Sequence, residues 1–381
     1  MTTRLRADVR RIMTGRGPQR FFSLATLLWA GSILYAGAAR IRAASYSRGW
    51  RPRLRLPRPV ISVGNLTTGG TGKTPLTMQL AQMIEALGHK PVIVSRGYKG
   101  CYDSAALVVG DGRSLLADAR RAGDEPFLMA SLLGTIPVVV GRDRYLAGRT
   151  AIARFEPDVL LLDDGFQHLK LHRDLNLLLL DAGQPFGNTY PLPRGSLREP
   201  PGALLRADAV VLTRAAGPPA YYEKLCHAVR PRPVFLAEHR PLVRGVVPAA
   251  CICGGAMHAI RPLADGEALF SRNMVAFSGL ARNDLFHGSI RARGIHLRQS
   301  LEFDDHHAYR PEDMHRIEAA AQRAGAGAVI TTEKDFVRIP EDTRFSLPLI
   351  VMGVAVDITG GTTPWRDYIG GRIAELLKTD G

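Results

Sequence analysis

The stretch PVISVGNLTTGGTGKTP, residues 59–75, constrains this chain more than any other part of it. A short apolar run reads as a strand, a glycine-rich turn follows, and Gly72-Lys73-Thr74 leads into LTMQLAQMIEALG, which reads as a helix. That order brings backbone amides and a helix N-terminus to bear on a phosphate group. Gly69, Gly70 and Gly72 let the backbone approach an anion, Lys73 supplies a point charge, and the Thr74 hydroxyl suits Mg²⁺. The usual phosphate-loop pattern is G-x-x-x-x-G-K-[ST], and here Thr67 stands at the entry glycine, where a different turn can serve. The expected nucleotide contacts are therefore Thr67, Thr68, Gly69, Gly70, Thr71, Gly72, Lys73 and Thr74. Pro75 falls in the first helical turn, where its missing N–H costs little.

A second motif supports the first. In DVLLLDDGFQH, residues 158–168, an apolar run ends in Asp163, a carboxylate at a strand's C-terminal end of the kind that holds Mg²⁺ in phosphate-loop proteins. Many strands end in Asp, so the weight comes from the pairing with the loop.

From residue 59 onward short apolar runs alternate with helix-like stretches, the mark of a parallel α/β sheet. Strands are expected at 59–63, 90–95, 136–140, 158–163, 175–181 and 207–214. After Gly217-Pro218-Pro219 a second set follows at 233–239, 274–279, 295–303 and 328–333, with a helix at 312–324 opened by Pro311. The predicted fold class is α/β: a P-loop NTPase-like parallel sheet core, a second, smaller α/β domain, and an N-terminal membrane-associated helix. The expected domains are 1–58, 59–218 and 219–381.

The leader carries most of the charge. The chain has a formal net charge of +15, yet residues 1–58 hold thirteen arginines and one acid, Asp8. The body is nearly balanced and shows no basic-aromatic platform, so nucleic acid is not an expected partner. Residues 21–39, FFSLATLLWAGSILYAGAA, are uncharged and close to the length that spans a bilayer. Arg4, Arg6, Arg10, Arg11, Arg16 and Arg20 precede them, and Arg40, Arg42, Arg48, Arg51, Arg53, Arg55 and Arg58 follow. Positive charge on both sides fits a helix lying in the cytoplasmic leaflet, with a single span as the competing reading. A cleaved signal peptide (AGA at 36–38) and a buried helix are the bland alternatives; the flanking arginines argue against both. Phe21 and Phe22 either anchor at the interface or pack.

Four cysteines give no disulfide framework, as suits a reducing compartment. Cys251-x-Cys253 with His258 falls short of a four-ligand zinc set. DAGQ (181–184) and TEKD (332–335) are near misses to GTPase signatures without the right spacing.

A kinase also needs a group that receives a hydroxyl proton. GDEP places Asp124 and Glu125 in a loop, and FDDHHAY places Asp305, His306 and His307 at a strand end. A carboxylate facing a histidine across an interdomain cleft suits that task; a metal site or a solvated turn is the plain alternative for the second motif.

Taken in order, SVGNLTTGGTGKTP, SRGYKG, GDEP, GRDR, DDGFQH, PRGSLREP, FSGLAR, FDDHHAY and TTEKD closely resemble the tetraacyldisaccharide 4'-kinase family, over about residues 20 to 340. The resemblance implies ATP and Mg²⁺ as cofactors and phosphorylation of the 4'-hydroxyl of a tetraacylated glucosamine disaccharide 1-phosphate. The product would be lipid IVA of the lipid A pathway. It implies a lipid-linked substrate met at the cytoplasmic face of a Gram-negative inner membrane, with no obligate protein partner. By motif, Asp124 is the general base paired with His306, Lys73 and Thr74 hold phosphate and metal, and Asp163, Asp164 and Glu199 are metal-side carboxylates. Arg96, Tyr98, Arg142, His168 and Arg198 are implied in nucleotide, phosphate or lipid contact. Asn283 stands where the family usually has proline. The alternatives are a membrane-recruited ATPase switch and a soluble small-molecule kinase, neither of which needs both the acid-histidine pair and the leader.

Overall fold

The computed structural model describes residues 23–251, 257–263 and 273–379, with positions 8, 9, 12, 13 and 255 besides. The six arginines expected before the leader helix, Phe21, Phe22 and Cys253 lie outside the described residues.

Helix α1 covers Leu24–Ser47. Then come β1 (Val60–Asn65), α2 (Lys73–Ala86), β2 (Pro91–Ser95), β3 (Leu107–Gly110), α3 (Ala119–Ala122), α4 (Asp124–Leu133), β4 (Val138–Val140), α5 (Arg144–Phe155), β5 (Val159–Asp163), β6 (Leu175–Asp181) and β7 (Ala209–Thr213). The chain continues through α6 (Tyr222–Val229), β8 (Val234–Val247), β9 (Met274–Ser278), α7 (Asn283–Arg291), β10 (Leu297–Glu302), α8 (Pro311–Arg323), β11 (Ala328–Thr332), α9 (Glu333–Phe336), β12 (Leu349–Gly361) and α10 (Trp365–Thr379). Two strands outside the sequence expectation are β3 and β12. The first is four residues long, and the second carries Gly353, Asp357, Thr359, Gly360 and Gly361, which blur its apolar run. Gly217-Pro218-Pro219 lies in the connection between β7 and α6.

Two compact units share the chain, and neither is continuous in sequence. The first comprises Met1–Arg96, Gly141–His239 and Val356–Gly381; the second comprises Gly97–Val140 and Arg240–Ala355.

In the first unit six parallel strands run in the order β2-β5-β1-β6-β7-β8. They are apolar on both faces because helices cover both, so β1, β2 and β5 are buried at every position. Strand β1 is flanked by β5 and β6, which follow it at a distance in the chain, so the connections leave it in opposite directions. Ligands of open α/β sheets bind at such a switch point, beyond the carboxyl ends of the strands. Val63 of β1 is in register with Asp163 of β5, which brings the turn after β1 and that carboxylate to the same sheet edge. A core of Leu66, Phe166, Leu178, Leu180, Val210 and Leu212 closes beneath it.

Helix α1 runs past the uncharged stretch that ends at residue 39 because AARIRAASYS contains no breaker; Gly49, with φ of +75°, ends it. It docks on the first unit along much of its length. Arg194 donates to the Ala25 carbonyl at 3.1 Å, Tyr35 to the Arg198 carbonyl at 2.9 Å, and Arg42 to the Gln167 carbonyl at 3.3 Å. The docked face is small: Ala25, Ser32 and Ser45 are buried, while Leu27, Leu34 and Ile41 are 71%, 76% and 69% exposed. Among the described residues it is the one helix long and apolar enough to cross a membrane, by length and composition.

In the second unit β10-β9-β11-β12 are parallel, and β3 pairs antiparallel with β4. Phe277, Phe336, Ile317 and Val351 lie in one core cluster, and Ala276, Ile330 and Ile350 in another. At the proline-to-asparagine departure, Asn283 Oδ1 accepts from Ser278 Oγ at 2.7 Å and from the Leu280 amide at 3.3 Å. The side chain thus fastens the turn that opens α7.

Gly64 in β1 has no room for a side chain: a Cβ there would lie 2.5 Å from Phe166 Cβ and 2.9 Å from its amide nitrogen. Gly64→Ala is expected to destabilise the protein by about 1–3 kcal/mol through overpacking. The measurement is the urea midpoint, and an unshifted midpoint would contradict this packing.

Candidate active site

The residues singled out in the sequence fall into two groups, one in each unit. In the first unit the glycine-rich turn leads from β1 into α2. Thr67 forms an isolated antiparallel bridge with Leu197, and the Thr68 amide donates to the Ser196 carbonyl at 2.7 Å. The entry position is extended backbone held by the PRGSLREP segment, a conformation that any residue adopts, so glycine is not required there. Gly69 and Gly72 take φ of +118° and +88°. A Cβ at Gly69 or Gly70 would meet nothing within 4 Å, whereas one at Gly72 would strike the His239 imidazole.

Helix α2 starts at Lys73 with Gly72 as its N-cap, no side chain capping it and no acid in its first turn. Its leading amides and the positive end of its dipole are left for an anion. The Thr71 hydroxyl is buried there without a hydrogen-bond partner. Lys73 Nζ lies 3.3 Å from Asn65 Oδ1 and 3.7 Å from Asp164 Oδ1. These features fit a nucleotide's phosphates.

Asp163 is buried and accepts from Thr77 Oγ1 at 3.2 Å and Ser95 Oγ at 3.5 Å, while Thr74 is buried at the start of α2. Hydroxyl and carboxylate oxygens suit Mg²⁺, which commonly takes one or two carboxylates and completes its shell with phosphate and water. No group of three or more His, Cys, Asp or Glu that could hold a metal exists among the described residues, so the protein supplies only part of such a shell. Asp164 and Glu199, expected on the metal side, are each paired with an arginine in this structure. Arg198 Nη1 bridges both Asp164 oxygens at 2.9 and 2.8 Å, and Arg206 Nη2 donates to Glu199 at 2.8 Å. Asp164 holds φ of +53°, a left-handed conformation that turns its carboxylate back toward Lys73.

Of the other expected contacts in this unit, Arg142 is exposed at the turn before α5, and Arg96 is exposed after β2. His168 is half-buried with Nε2 lacking a hydrogen-bond partner. Burial, then the charge of Arg144, holds its pKa down to about 4, so it is neutral at pH 7. Three residues outside the sequence expectation act on the loop: Gln167 donates to the Asn65 carbonyl at 2.8 Å, Arg214 bridges Asp181 and the Gly70 carbonyl, and His239 sits against Gly72. Gln167 was visible as part of DDGFQH; Arg214 and His239 belong to no motif.

The second group lies wholly in the second unit. Asp124 is the first residue of α4 rather than part of a loop, since Gly123, at φ of +89°, turns the chain into the helix. His306 Nδ1 lies 3.0 Å from Asp124 Oδ2, so the acid and histidine meet inside one unit rather than across two. His307 is bonded instead to Asp313, at 2.8 Å. Tyr98 packs edge-on against His306 at 5.9 Å. Arg338 Nε, absent from the sequence expectation, donates to Asp124 Oδ2 at 2.6 Å. Burial alone would raise the Asp124 pKa; the His306 hydrogen bond and the Arg338 charge outweigh it and hold the carboxyl below its usual range. The result is a carboxylate ionised at any physiological pH, set at a helix start where negative charge is favoured.

The chain is similar to known proteins over most of its length. The family model for tetraacyldisaccharide-1-P 4'-kinase, LpxK, matches residues 24–371. The tetraacyldisaccharide 4'-kinase of Geobacter metallireducens is 43% identical over 318 residues, 82% of this chain and 88% of that one. That of Syntrophus aciditrophicus is 37% identical over 366 residues, 93% of this chain and 95% of that one. Among solved structures, LpxK from Aquifex aeolicus in complex with ATP superposes with a TM-score of 0.71 at 30% identity, covering 93% of this chain and all of that one.

The two half-buried neutral histidines carry a pH prediction. His239, like His168, is held down to about 4, by burial and then the Arg214 charge. A folded-state pKa below the unfolded value means that unfolding takes up protons once the pH drops below about 6.5. Stability from these groups is therefore full above that pH and lost as pH falls toward 4. His239→Asn is expected to flatten the decline of the urea midpoint between pH 7 and 5; a decline as steep as wild type would show that His239 is not held neutral.

Proposed function

The chain belongs to the tetraacyldisaccharide 4'-kinase family, and on that footing we propose that it transfers the γ-phosphoryl group of ATP to the 4'-hydroxyl of a tetraacylated glucosamine disaccharide 1-phosphate. The observation that carries this reading is the family match across residues 24–371, which takes in both the phosphate turn and the Asp124–His306 pair. The relatives' names supply the acceptor, and these two groups of residues supply chemistry suited to it.

In this reading the amides of the Gly69–Thr74 turn and the start of α2 bind the phosphates, and Lys73 neutralises charge on the transferred group. Thr74 and Asp163 would hold Mg²⁺, which would supply further charge neutralisation and alignment when bound. Asp124 accepts the proton of the attacking 4'-hydroxyl while that hydroxyl's oxygen forms the new bond to phosphorus and the bond to the leaving ADP oxygen breaks. A carboxylate held ionised suits a loose transition state, in which there is little covalent chemistry for the protein to perform. His306 fixes the acid's orientation. Arg96, Tyr98, Arg142, His168 and Arg198 remain assigned to nucleotide, phosphate or lipid contact.

The leader places this chemistry at a membrane surface. Helix α1 is hydrogen-bonded to the first unit from Ala25 to Arg42, which supports a helix lying in the interface over a single span. Its exposed Leu27, Leu34 and Ile41 enter the interface, where the arginines that follow meet anionic headgroups at the cytoplasmic leaflet.

Purified full-length protein in detergent with ATP, Mg²⁺ and the acyl disaccharide phosphate is expected to yield phosphorylated lipid, detected by mass spectrometry. ATP hydrolysis without a phosphorylated product would instead mark an ATPase switch. Lys73→Ala is expected to slow transfer on the order of 10²-fold or more. Asp124→Asn is expected to lower kcat by about 10²–10⁴-fold with the KM for ATP nearly unchanged; equal loss of both parameters would remove Asp124 from the role of base. Replacing Leu27, Leu34 and Ile41 together by Ser is expected to release the protein from anionic vesicles in a sedimentation assay, and full retention would refute the interfacial docking of α1.

A further inference from the structure

The motif TTEKD, residues 331–335, has no role in the reading above, and neither does FSG, residues 277–279. The structure brings both to the acid-histidine pair. Asp335 is fully buried and surrounded by donors: the Gly279 amide at 2.9 Å, the Tyr309 hydroxyl at 3.0 Å, the Thr332 hydroxyl at 2.6 Å and Arg338 Nη1 at 3.3 Å. A buried carboxylate with four donors is fixed in place. Through these bonds it acts in two directions.

One direction leads to Asp124. The Arg338 side chain, itself 5% exposed, has one edge on Asp335 and its Nε on Asp124 Oδ2 at 2.6 Å. The other direction leads to His306. The Gly279 peptide, whose amide Asp335 holds, accepts at its carbonyl from the His306 amide at 3.2 Å and from Arg338 Nη1 at 3.3 Å. His306 sits at φ of +58°, in the sparsely populated left-handed region, and persists there because these bonds over-determine the turn. Gly279 cannot be larger: a Cβ would lie 2.9 Å from the Asp304 carbonyl oxygen and 3.2 Å from His307 Cβ.

The hydrogen bonds on Asp124 are one-sided. His306 Nδ1 and Arg338 Nε both address Oδ2, and Oδ1 has no partner among the described residues. Two donors on one oxygen pin the plane of the carboxyl group and leave the other oxygen for an incoming hydroxyl. Since Nδ1 faces a carboxylate, it carries the hydrogen of that contact, and Arg338 Nη2 lies 3.3 Å from the same Nδ1. Beside this pair Lys334 holds Glu125, so residues four apart in the segment after β11 secure both acids of GDEP.

We propose that Arg338 is a positioning residue of the phosphotransfer: anchored by buried Asp335, it fixes the Asp124 carboxylate through Oδ2 so that Oδ1 faces the acceptor hydroxyl. The proposal rests on Asp124 being the base, as read above. Lysine does not substitute for Arg338, because a single ammonium cannot reach Asp335, the Gly279 carbonyl and Asp124 at once.

The test is the pH dependence of kcat/KM for full-length protein with the acyl disaccharide phosphate in detergent. The charged and titratable groups around Asp124 and its partners are His306, Arg338, Asp335, Glu125, Lys334, Lys99 and Tyr98. Removing the Arg338 charge lets the Asp124 pKa rise, so the acidic limb of the profile in Arg338→Gln is expected to move to higher pH by about one unit. Its kcat is expected to fall on the order of 10- to 100-fold with the KM for ATP within about twofold of wild type. Arg338→Lys, which keeps charge and most of the volume, guards against a folding failure. It is expected to melt within a few degrees of wild type, to keep the acidic limb near its wild-type position, and still to lose kcat. A loss of kcat in Arg338→Gln with an unmoved limb would mean a merely structural role and would overturn the proposal, as would wild-type kcat in Arg338→Lys. Asp124→Asn separates this outcome from failure of the parent reading: if that variant is inactive while Arg338→Gln behaves as wild type, only the inference about Arg338 falls.

Discussion

An uncapped helix start at the edge of a fully buried strand governs the first unit. Strand β1 has no exposed position, so its polar groups are spent in pairing with β5 and β6, and the first solvent-facing amides lie where the chain turns into α2. No side chain and no acid neutralises them. The surrounding charges are consistent with that vacancy of negative charge. Lys73 rests between Asn65 and Asp164, and three nearby acids are each matched to a base: Asp164 to Arg198, Glu199 to Arg206, Asp181 to Arg214. The parallel register adds Asp163 at the same edge without any sequence neighbour of the loop being involved.

The second unit solves a different problem: how to keep a carboxylate ionised while it is largely buried. Desolvation opposes the charge, and a hydrogen bond plus a guanidinium restore it. The same guanidinium is held from behind by a second acid, Asp335, whose own pKa burial raises while Arg338 and its hydrogen bonds pull against that. Chains of alternating charge of this kind lose their value when any member is removed, because the remaining partner is left buried and unpaired. The residues involved come from α4, the turn after β9, the turn after β10 and the segment after β11, so the pair depends on the packing of the whole unit and not on a local loop.

What could be read from the sequence follows from how far each signal reaches along the chain. The strands of the first unit were legible because both faces are covered, which leaves continuous apolar runs such as LNLLLLD. The phosphate turn was legible because its chemistry needs particular residues at adjacent positions, and Asp163 because it ends such a run. Thr67 posed a question that only geometry answers: its partner, Leu197, is far along the chain. Arg338, His239 and Arg214 were hidden for the same reason, each belonging to no local pattern and acquiring its part through contacts distant in sequence. Asp124, expected in a loop, is the first residue of α4, with Pro126 at the third position of the helix, where proline is tolerated. Helix α1 continues past the uncharged stretch that ends at residue 39 because arginine is also a good helix former.

The discontinuity of the first unit has a bearing on the order in which the protein is made. Helix α10 belongs to that unit: Trp365 and Tyr368 pack on Phe235 at 4.8 and 5.5 Å, and the Tyr368 hydroxyl bonds to the Asp208 carbonyl at 3.2 Å. A chain emerging from the ribosome N-terminus first therefore exposes the phosphate turn and most of its sheet well before the last residues that complete the unit have been synthesised. The second unit, complete by Ala355, has its whole sequence available earlier. Nascent protein thus passes through a stage in which the apolar leader and most of the first unit's strands have emerged while the segment Val356–Gly381, which packs on them, has not.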